Sequence, residues 1–292
     1  MFRGSIVATA TPFHKETIDE DQLRKLIQFQ IKNGTDGIVP CGTTGESPTL
    51  SYKEHYRVIE ICIEEVKGRV PVIAGTGSNS TAEAIELTEH AKASGADAAL
   101  IVSPYYNRPT QEGLYLHFKK IADTVKIPII IYNIAGRTGV NIETPTLARL
   151  AKNCKNIVGV KEASGSVSQM MDVKAACGDK FDLMSGDDVL TLPLLSIGGT
   201  GIISVVANII PRDVAKMVKL FEKGDLAGAK KLHYQMLPLV KAMFLETNPV
   251  PVKTAMGMMG LCSDEVRLPL CEMTSGNKEK LKQALKEYGL IK

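Results

Sequence analysis

Short runs of consecutive apolar residues alternate along this chain with longer stretches of helical spacing. The period is roughly 25 to 30 residues, as far as about residue 223. The apolar runs lie at 5–10, 36–40, 71–74, 98–102, 128–132, 157–161, 181–184 and 201–205. A strand with one wet face alternates polar and apolar residues, whereas a strand covered on both faces reads as an unbroken hydrophobic run. The eight runs therefore predict buried strands. Between them, Ser51-Tyr-Lys-Glu54, Ser80-Thr-Ala-Glu83 and Ser166-Val-Ser-Gln169 have the form of capping boxes. Thr144-Pro145 and Ile210-Pro211 place proline where a first helical turn tolerates it. Asn33-Gly34, Ser94-Gly95 and Cys177-Gly178 supply helix ends.

Eight β-then-α units predict an α/β fold, a TIM (β/α)8 barrel. A doubly wound sheet is the rival, but it rarely needs eight evenly spaced units. After about residue 224 the pattern breaks into helices at 225–246, after Pro249-Val-Pro251, and at 277–288. The organisation expected is a barrel at 1–223 with a C-terminal helical extension at 224–292 packed on it. The charged run 278–287 reads as the solvated face of one helix.

The bulk properties narrow the picture little. The chain has 292 residues, 44% hydrophobic and 23% charged, with a net charge of +3. That balance is too mild to indicate nucleic acid, and no apolar stretch approaches the roughly 18 residues needed to cross a bilayer. Six cysteines without a C-x-x-C pair suggest reduced thiols of a cytoplasmic protein. Five histidines show no H-x-H or H-E-x-x-H spacing, so no metal is expected. Neither a Walker loop nor a completed dinucleotide fingerprint occurs.

Barrel chemistry collects where strands end, and the strand ends here are rich in reactive groups. Lys161 closes an apolar run. Burial disfavours an ammonium, so its amine could be neutral and nucleophilic near pH 7, an electron sink needing no cofactor. Lowering its pKa from about 10.4 to about 7.5 would cost roughly 4 kcal/mol, with Val158, Val160 and Ile203 as apolar walls. The alternative is a lysine that snorkels to solvent. Cys41-Gly-Thr-Thr-Gly-Glu-Ser47 forms a glycine-flanked loop whose N–H groups suit a carboxylate. Cys41 itself reads as a small packing residue. Tyr132 stands at the mouth one strand from Lys161, where a phenol can relay protons, and Arg137 can hold a carboxylate bidentately. Tyr105 and Tyr106, adjacent in a proline-bounded loop, fit contact across a subunit interface better than one chain's core. Ser185-Gly-Asp-Asp188 follows the seventh run. Gly198-Gly-Thr-Gly201, assigned to the eighth, is only weakly like a barrel phosphate loop, since glycine also serves close backbone approach.

Gly42-Thr-Thr-Gly-Glu-Ser47, Pro104-Tyr-Tyr-Asn-Arg-Pro-Thr110, Tyr132-Asn133, Arg137-Thr-Gly139, Val160-Lys-Glu-Ala163 and Asn248-Pro-Val-Pro-Val-Lys253 together resemble the dihydrodipicolinate synthase family. The likeness spans essentially the whole chain. It implies that Lys161 forms a Schiff base with pyruvate, whose enamine attacks the aldehyde of L-aspartate 4-semialdehyde. Transimination by the substrate's own amine then closes the ring and frees the lysine. On the same resemblance Thr43, Tyr132 and Tyr106 form a proton relay, Tyr106 reaching in from a neighbouring subunit. Thr43 and Thr44 bind the pyruvate carboxylate, Arg137 binds the semialdehyde, and Gly186 and Ile203 border the substrate. Ser47, His55, Asn79, Glu83 and Tyr105 match an interface cleft at which L-lysine feeds back in lysine-producing relatives. Pro48 and Tyr52 depart from residues typical of sensitive members, and Ala135 replaces a usual proline. A homo-oligomer, a dimer of dimers, is also implied. The nearest rival is an aldolase of the same superfamily, N-acetylneuraminate lyase or a 2-keto-3-deoxy sugar acid aldolase; Arg137-Thr-Gly139 favours the synthase. A barrel that merely binds a metabolite is the rival from another class.

Overall fold

The computed structural model describes residues 2–292. Eight parallel strands form one sheet: β1 (Gly4–Ala8), β2 (Gly37–Val39), β3 (Ile73–Gly75), β4 (Ala98–Val102), β5 (Ile129–Asn133), β6 (Ile157–Glu162), β7 (Asp182–Ser185) and β8 (Gly201–Ser204). Each pairs with its sequence neighbour, β1 also pairs with β8, and an Ile38–Val72 bridge joins β2 to β3 and closes the ring. This is the (β/α)8 barrel, with every strand within two residues of its expected position.

The unbroken apolar runs follow from two packed faces. Ile6, Ala8, Val39, Ile73, Leu100, Ile130, Met184 and Ile203 fill the barrel interior. Their alternates, such as Ile101, Ile129, Ile131 and Leu183, pack outward against the helices. Eight principal helices follow the strands: α1 (Glu20–Lys32), α2 (Tyr52–Val66), α3 (Thr81–Ser94), α4 (Gln111–Thr124), α5 (Thr144–Asn153), α6 (Val167–Cys177), α7 (Thr191–Ser196) and α8 (Pro211–Glu222). Ser51 forms a full capping box with Glu54. Ser80 and Ser166 cap through their own hydroxyls, while the Glu83 and Gln169 side chains turn to other partners.

The extension consists of α9 (Leu226–Ala242), α10 (Val250–Met258) and α11 (Ser275–Tyr288). Met236, Leu239, Met256 and Leu281 join one apolar cluster with Val7 of the barrel and Leu23 of α1. Its connecting segments then run across the barrel mouth, where Asn248, Pro249 and Leu270 form part of a cavity wall.

One irregularity decides where Lys161 points. Ile129 pairs with Ile157, but Ile130 pairs with Gly159, so two β6 residues oppose one step of β5. Strict alternation from outward-facing Ile157 would turn Lys161 outward. The bulge restores an inward Lys161 opposite inward Tyr132, with Val160 outward. Val158 and Ile203 thus belong to the interior, whereas Val160 packs against the helices and is no wall of the lysine's pocket. The Gly198–Gly201 run enters β8, at the end opposite the strand C-termini. A Cβ on Gly201 would lie 2.2 Å from the Gly4 carbonyl oxygen. These glycines serve close backbone approach, so a phosphate loop at the mouth is ruled out for them.

Candidate active site

At the C-terminal ends of the strands lies a cavity of about 310 Å³, lined by Thr43, Ser47, Tyr132, Arg137 and Asn248 among others. Lys161 is not among the lining residues; it is 5% exposed and stands behind Tyr132, its Nζ 4.0 Å from the centre of that ring. Burial is the main force on the amine and brings its pKa from 10.5 down to about 7. The buried Asp188 carboxylate opposes that fall, and the Arg137 guanidinium adds to it. Among the described residues no cation is bonded to Asp188. It accepts instead from the Ser204 hydroxyl (2.5 Å) and the Val205 and Val206 N–H groups (3.0 and 3.3 Å).

Tyr132 is also buried, and desolvation pushes its phenol up to about 12. The Arg137 charge and the Thr43 hydroxyl pull the other way. The phenol therefore stays protonated across the neutral range, able to donate and accept. Arg137 is exposed and donates to the Asn248 carbonyl at 3.0 Å. Thr44 is buried, its hydroxyl accepting from the Asn248 amide at 3.1 Å. Ile203 lies in the barrel interior.

Gly186 has a steric reason for its identity. A Cβ there would stand 3.0 Å from Lys161 Cε and 2.7 Å from Ala163 Cβ. The missing side chain makes room for the lysine stem. Cys41 is buried and burial holds its thiol well above the usual range, as befits a packing residue.

The remaining residues divide. Tyr106 is 90% exposed at φ +70° and does not reach its own protomer's cavity, which Tyr105 does line. Asn79 donates to the Tyr105 carbonyl at 3.2 Å. Glu83 accepts from Ser78 at 2.7 Å, and its carboxylate helps raise the pKa of the Tyr52 phenol, after burial. Asn79, Glu83 and Tyr105 thus gather with Tyr52 at one surface beside the cavity. Ser47 instead faces the cavity itself. His55 is buried, its Nε2 on the Gly75 carbonyl at 2.9 Å and its Nδ1 unpartnered. Desolvation lowers its pKa to about 4.

Several supporting residues escaped the sequence reading. Glu162 is fully buried and accepts from Asn133 (3.1 Å), the Ser164 N–H (2.7 Å) and Gln169 (3.3 Å), tying the ends of β5 and β6 together. Gly159 marks the bulge, since a Cβ there would meet the Asp182 carbonyl oxygen at 2.5 Å. A glycine inside a strand is the signal that could have announced it.

The dihydrodipicolinate synthetase family model matches residues 1–288. The chain belongs to the dihydrodipicolinate synthetase family. Two relatives named 4-hydroxy-tetrahydrodipicolinate synthase, from Endomicrobium trichonymphae and Syntrophus aciditrophicus, are each 62% identical over the full length of both chains. Three solved structures are equally close in fold. Chloride-inhibited dihydrodipicolinate synthase from Acinetobacter baumannii, complexed with pyruvate, has a TM-score of 0.97 at 46% identity and covers 100% of both chains. The enzyme from Cyanidioschyzon merolae with lysine bound has a TM-score of 0.97 at 40% identity, covering 99% of each chain. A monomeric dihydrodipicolinate synthase variant has a TM-score of 0.98 at 41% identity, covering 99% of this chain and 98% of its own.

Proposed function

We infer that this chain catalyses the reaction for which its relatives are named, condensing pyruvate with L-aspartate 4-semialdehyde to give 4-hydroxy-tetrahydrodipicolinate, on the route to lysine and diaminopimelate. The observation that carries the mechanism is a buried lysine with a pKa near 7, held over a buried phenol at a barrel mouth. The neutral amine adds to the ketone carbon of pyruvate and water leaves, giving a protonated imine. Its positive charge draws electrons from the neighbouring C–H bond, so the methyl loses a proton and becomes an enamine. That carbon attacks the aldehyde, and the substrate amine then displaces Lys161 as the ring closes.

Tyr132 suits the proton transfers because its phenol is neutral and lines the same cavity as Thr43. Thr44 and the N–H groups of its loop serve the pyruvate carboxylate. Arg137, at the cavity rim, serves the semialdehyde carboxylate, and Gly186 and Ile203 border the substrates. Tyr106 completes the relay only from a second protomer, since its own side chain projects into solvent. We therefore assign a homo-oligomer, a dimer that pairs into a dimer of dimers. L-Lysine is assigned as an inhibitor at the surface where Asn79, Glu83 and Tyr105 meet, with Ser47 and His55 behind it. Glu83 would take the ligand ammonium. The assigned compartment is the cytoplasm; among the described residues no helix is long and apolar enough to cross a membrane.

Borohydride reduction in the presence of pyruvate tests the covalent step. A stable adduct on Lys161 is expected, and an unmodified lysine would sink the Schiff-base assignment. A coupled assay offering L-aspartate 4-semialdehyde against sugar aldehydes separates the synthase from an aldolase. For the interface, Tyr106→Phe should cut turnover while the adduct still forms; full turnover removes it from the relay. Titration with L-lysine decides inhibition, with no loss of rate at millimolar levels rejecting it.

A further inference from the structure

The loop that carries Thr43 and Thr44 is gripped from the far end of the chain. Glu46, three residues after Thr43, receives a hydrogen bond from Lys253 Nζ at 2.6 Å, and the two side chains are 1% and 0% exposed. Its second carboxylate oxygen accepts from the Arg267 N–H at 3.0 Å. The Phe13 ring lies under both cations, with Lys253 Nζ 4.2 Å and the Arg267 guanidinium 4.3 Å from its centre. Arg267 also ion-pairs with Glu54 at the start of α2. Asn248 of the extension donates to Thr44.

The backbone of Glu46 stands at φ +54°, in the left-handed region that side chains disfavour. It closes a turn in which its N–H donates to the Thr43 carbonyl at 3.1 Å and the Ser47 N–H to the Gly42 carbonyl at 3.4 Å. The turn direction at Thr43 thus depends on a residue whose side chain is anchored on α10. A fully buried ion pair contributes little net stability, because desolvating two charges cancels most of their attraction. In some proteins such a pair instead fixes one geometry among several.

We propose that the Glu46–Lys253 pair is a positioning device, which sets Thr43 against Tyr132 and makes the C-terminal extension part of the active site. This rests on the Schiff-base reading, in which Thr43 and Tyr132 move the methyl proton of bound pyruvate. Glu46 borders the cavity, but both its carboxylate oxygens are taken, one by Lys253 and one by the Arg267 backbone N–H.

The test is the double variant Glu46→Gln with Lys253→Met, which removes both charges while the amide can still accept from Arg267. Two readouts are compared: the borohydride-trapped pyruvate adduct, and hydrogen–deuterium exchange of the pyruvate methyl, which reports enamine formation. The expected result is a folded protein with full adduct and exchange slowed about ten- to a hundredfold, the scale of a misplaced catalytic group. Exchange at the parent rate overturns the proposal. Loss of adduct and exchange together marks a general collapse of the mouth and overturns it as well. If the double variant does not fold, Glu46→Gln alone serves. Its weaker, uncharged hydrogen bond should give a smaller slowing with full adduct, and an unchanged rate overturns the proposal. The parent protein controls for the chemistry: no adduct there rejects the Schiff base itself, whereas an adduct with no effect of the variants rejects only the positioning role.

Discussion

The rate of pyruvate adduct formation should rise with pH and reach half its maximum near pH 7. Lys161 is 5% exposed, and burial is the first cause that takes its amine from 10.5 to about 7. A tenfold change in a protonation equilibrium is worth about 1.4 kcal/mol, so the fold withdraws roughly 5 kcal/mol from the ammonium form. At pH 7 about half the molecules then carry a free amine, against about one in 3,000 for a lysine in water. Trapping initial rates with borohydride across pH 5.5 to 10, counted by mass on Lys161, measures the midpoint. A midpoint above about pH 9 would refute the burial argument, because a solvated lysine titrates there and beyond. The same shift has a thermodynamic side. The folded pKa lies below the unfolded one, so between pH 7 and 10.5 the unfolded chain holds the extra proton. This group therefore makes stability rise with pH across that window and costs the fold most at and below pH 7. Lys161→Met should raise the urea midpoint at pH 7, lose the gain toward pH 10.5 and abolish the adduct. A midpoint that falls or stays put at pH 7 would mean that the amine is not desolvated in the folded protein.

Tyr132→Phe should lower turnover by about 10² to 10⁴, the usual worth of a positioned acid–base group, while the trapped adduct persists; steady-state and trapping assays separate the two effects. Gly186→Ala forces a Cβ into the Lys161 stem at 3.0 Å. Overpacking of this kind costs about 1–3 kcal/mol, so both the melting temperature and the adduct rate should drop, and neither moving would show that the loop yields freely. Arg137→Ala should raise KM for the semialdehyde and leave the plateau rate of pyruvate trapping at high pH intact, while taking away a positive charge that helps depress Lys161. The trapping midpoint should accordingly move to higher pH, which a pH series on the variant checks.

Most of the barrel was legible because its strands are apolar on both faces and its helices announce their starts. The caps at Ser51, Ser80 and Ser166 and the prolines at 145 and 211 are local chemistry, and each stands at a helix start. The same two-sided apolarity hid the orientation of β6. With no polar residue to mark a wet face, the run 157–161 does not say which side chains point inward. Val160 was accordingly placed on the wrong side of the sheet. The glycine run at 198–201 was legible only in part: close backbone approach was expected of it, but which backbone it meets, that of Gly4, is set by the closure of the barrel.

The amino-acid sequence by itself determined the eight strand–helix units and set Lys161, Tyr132, the Thr43–Thr44 loop and Arg137 at strand ends, because hydrophobic period and capping act within a few residues. The tertiary structure alone decided what those residues meet. It shifted the β5–β6 register so that Lys161 enters the barrel, emptied the space of a side chain at Gly186, and joined Glu46 to Lys253 across 207 positions. Contacts of that range depend on the closure of the whole barrel and on the return of the extension over its mouth. No local pattern encodes them, since a lysine destined for a buried carboxylate looks like any other until the chain is folded.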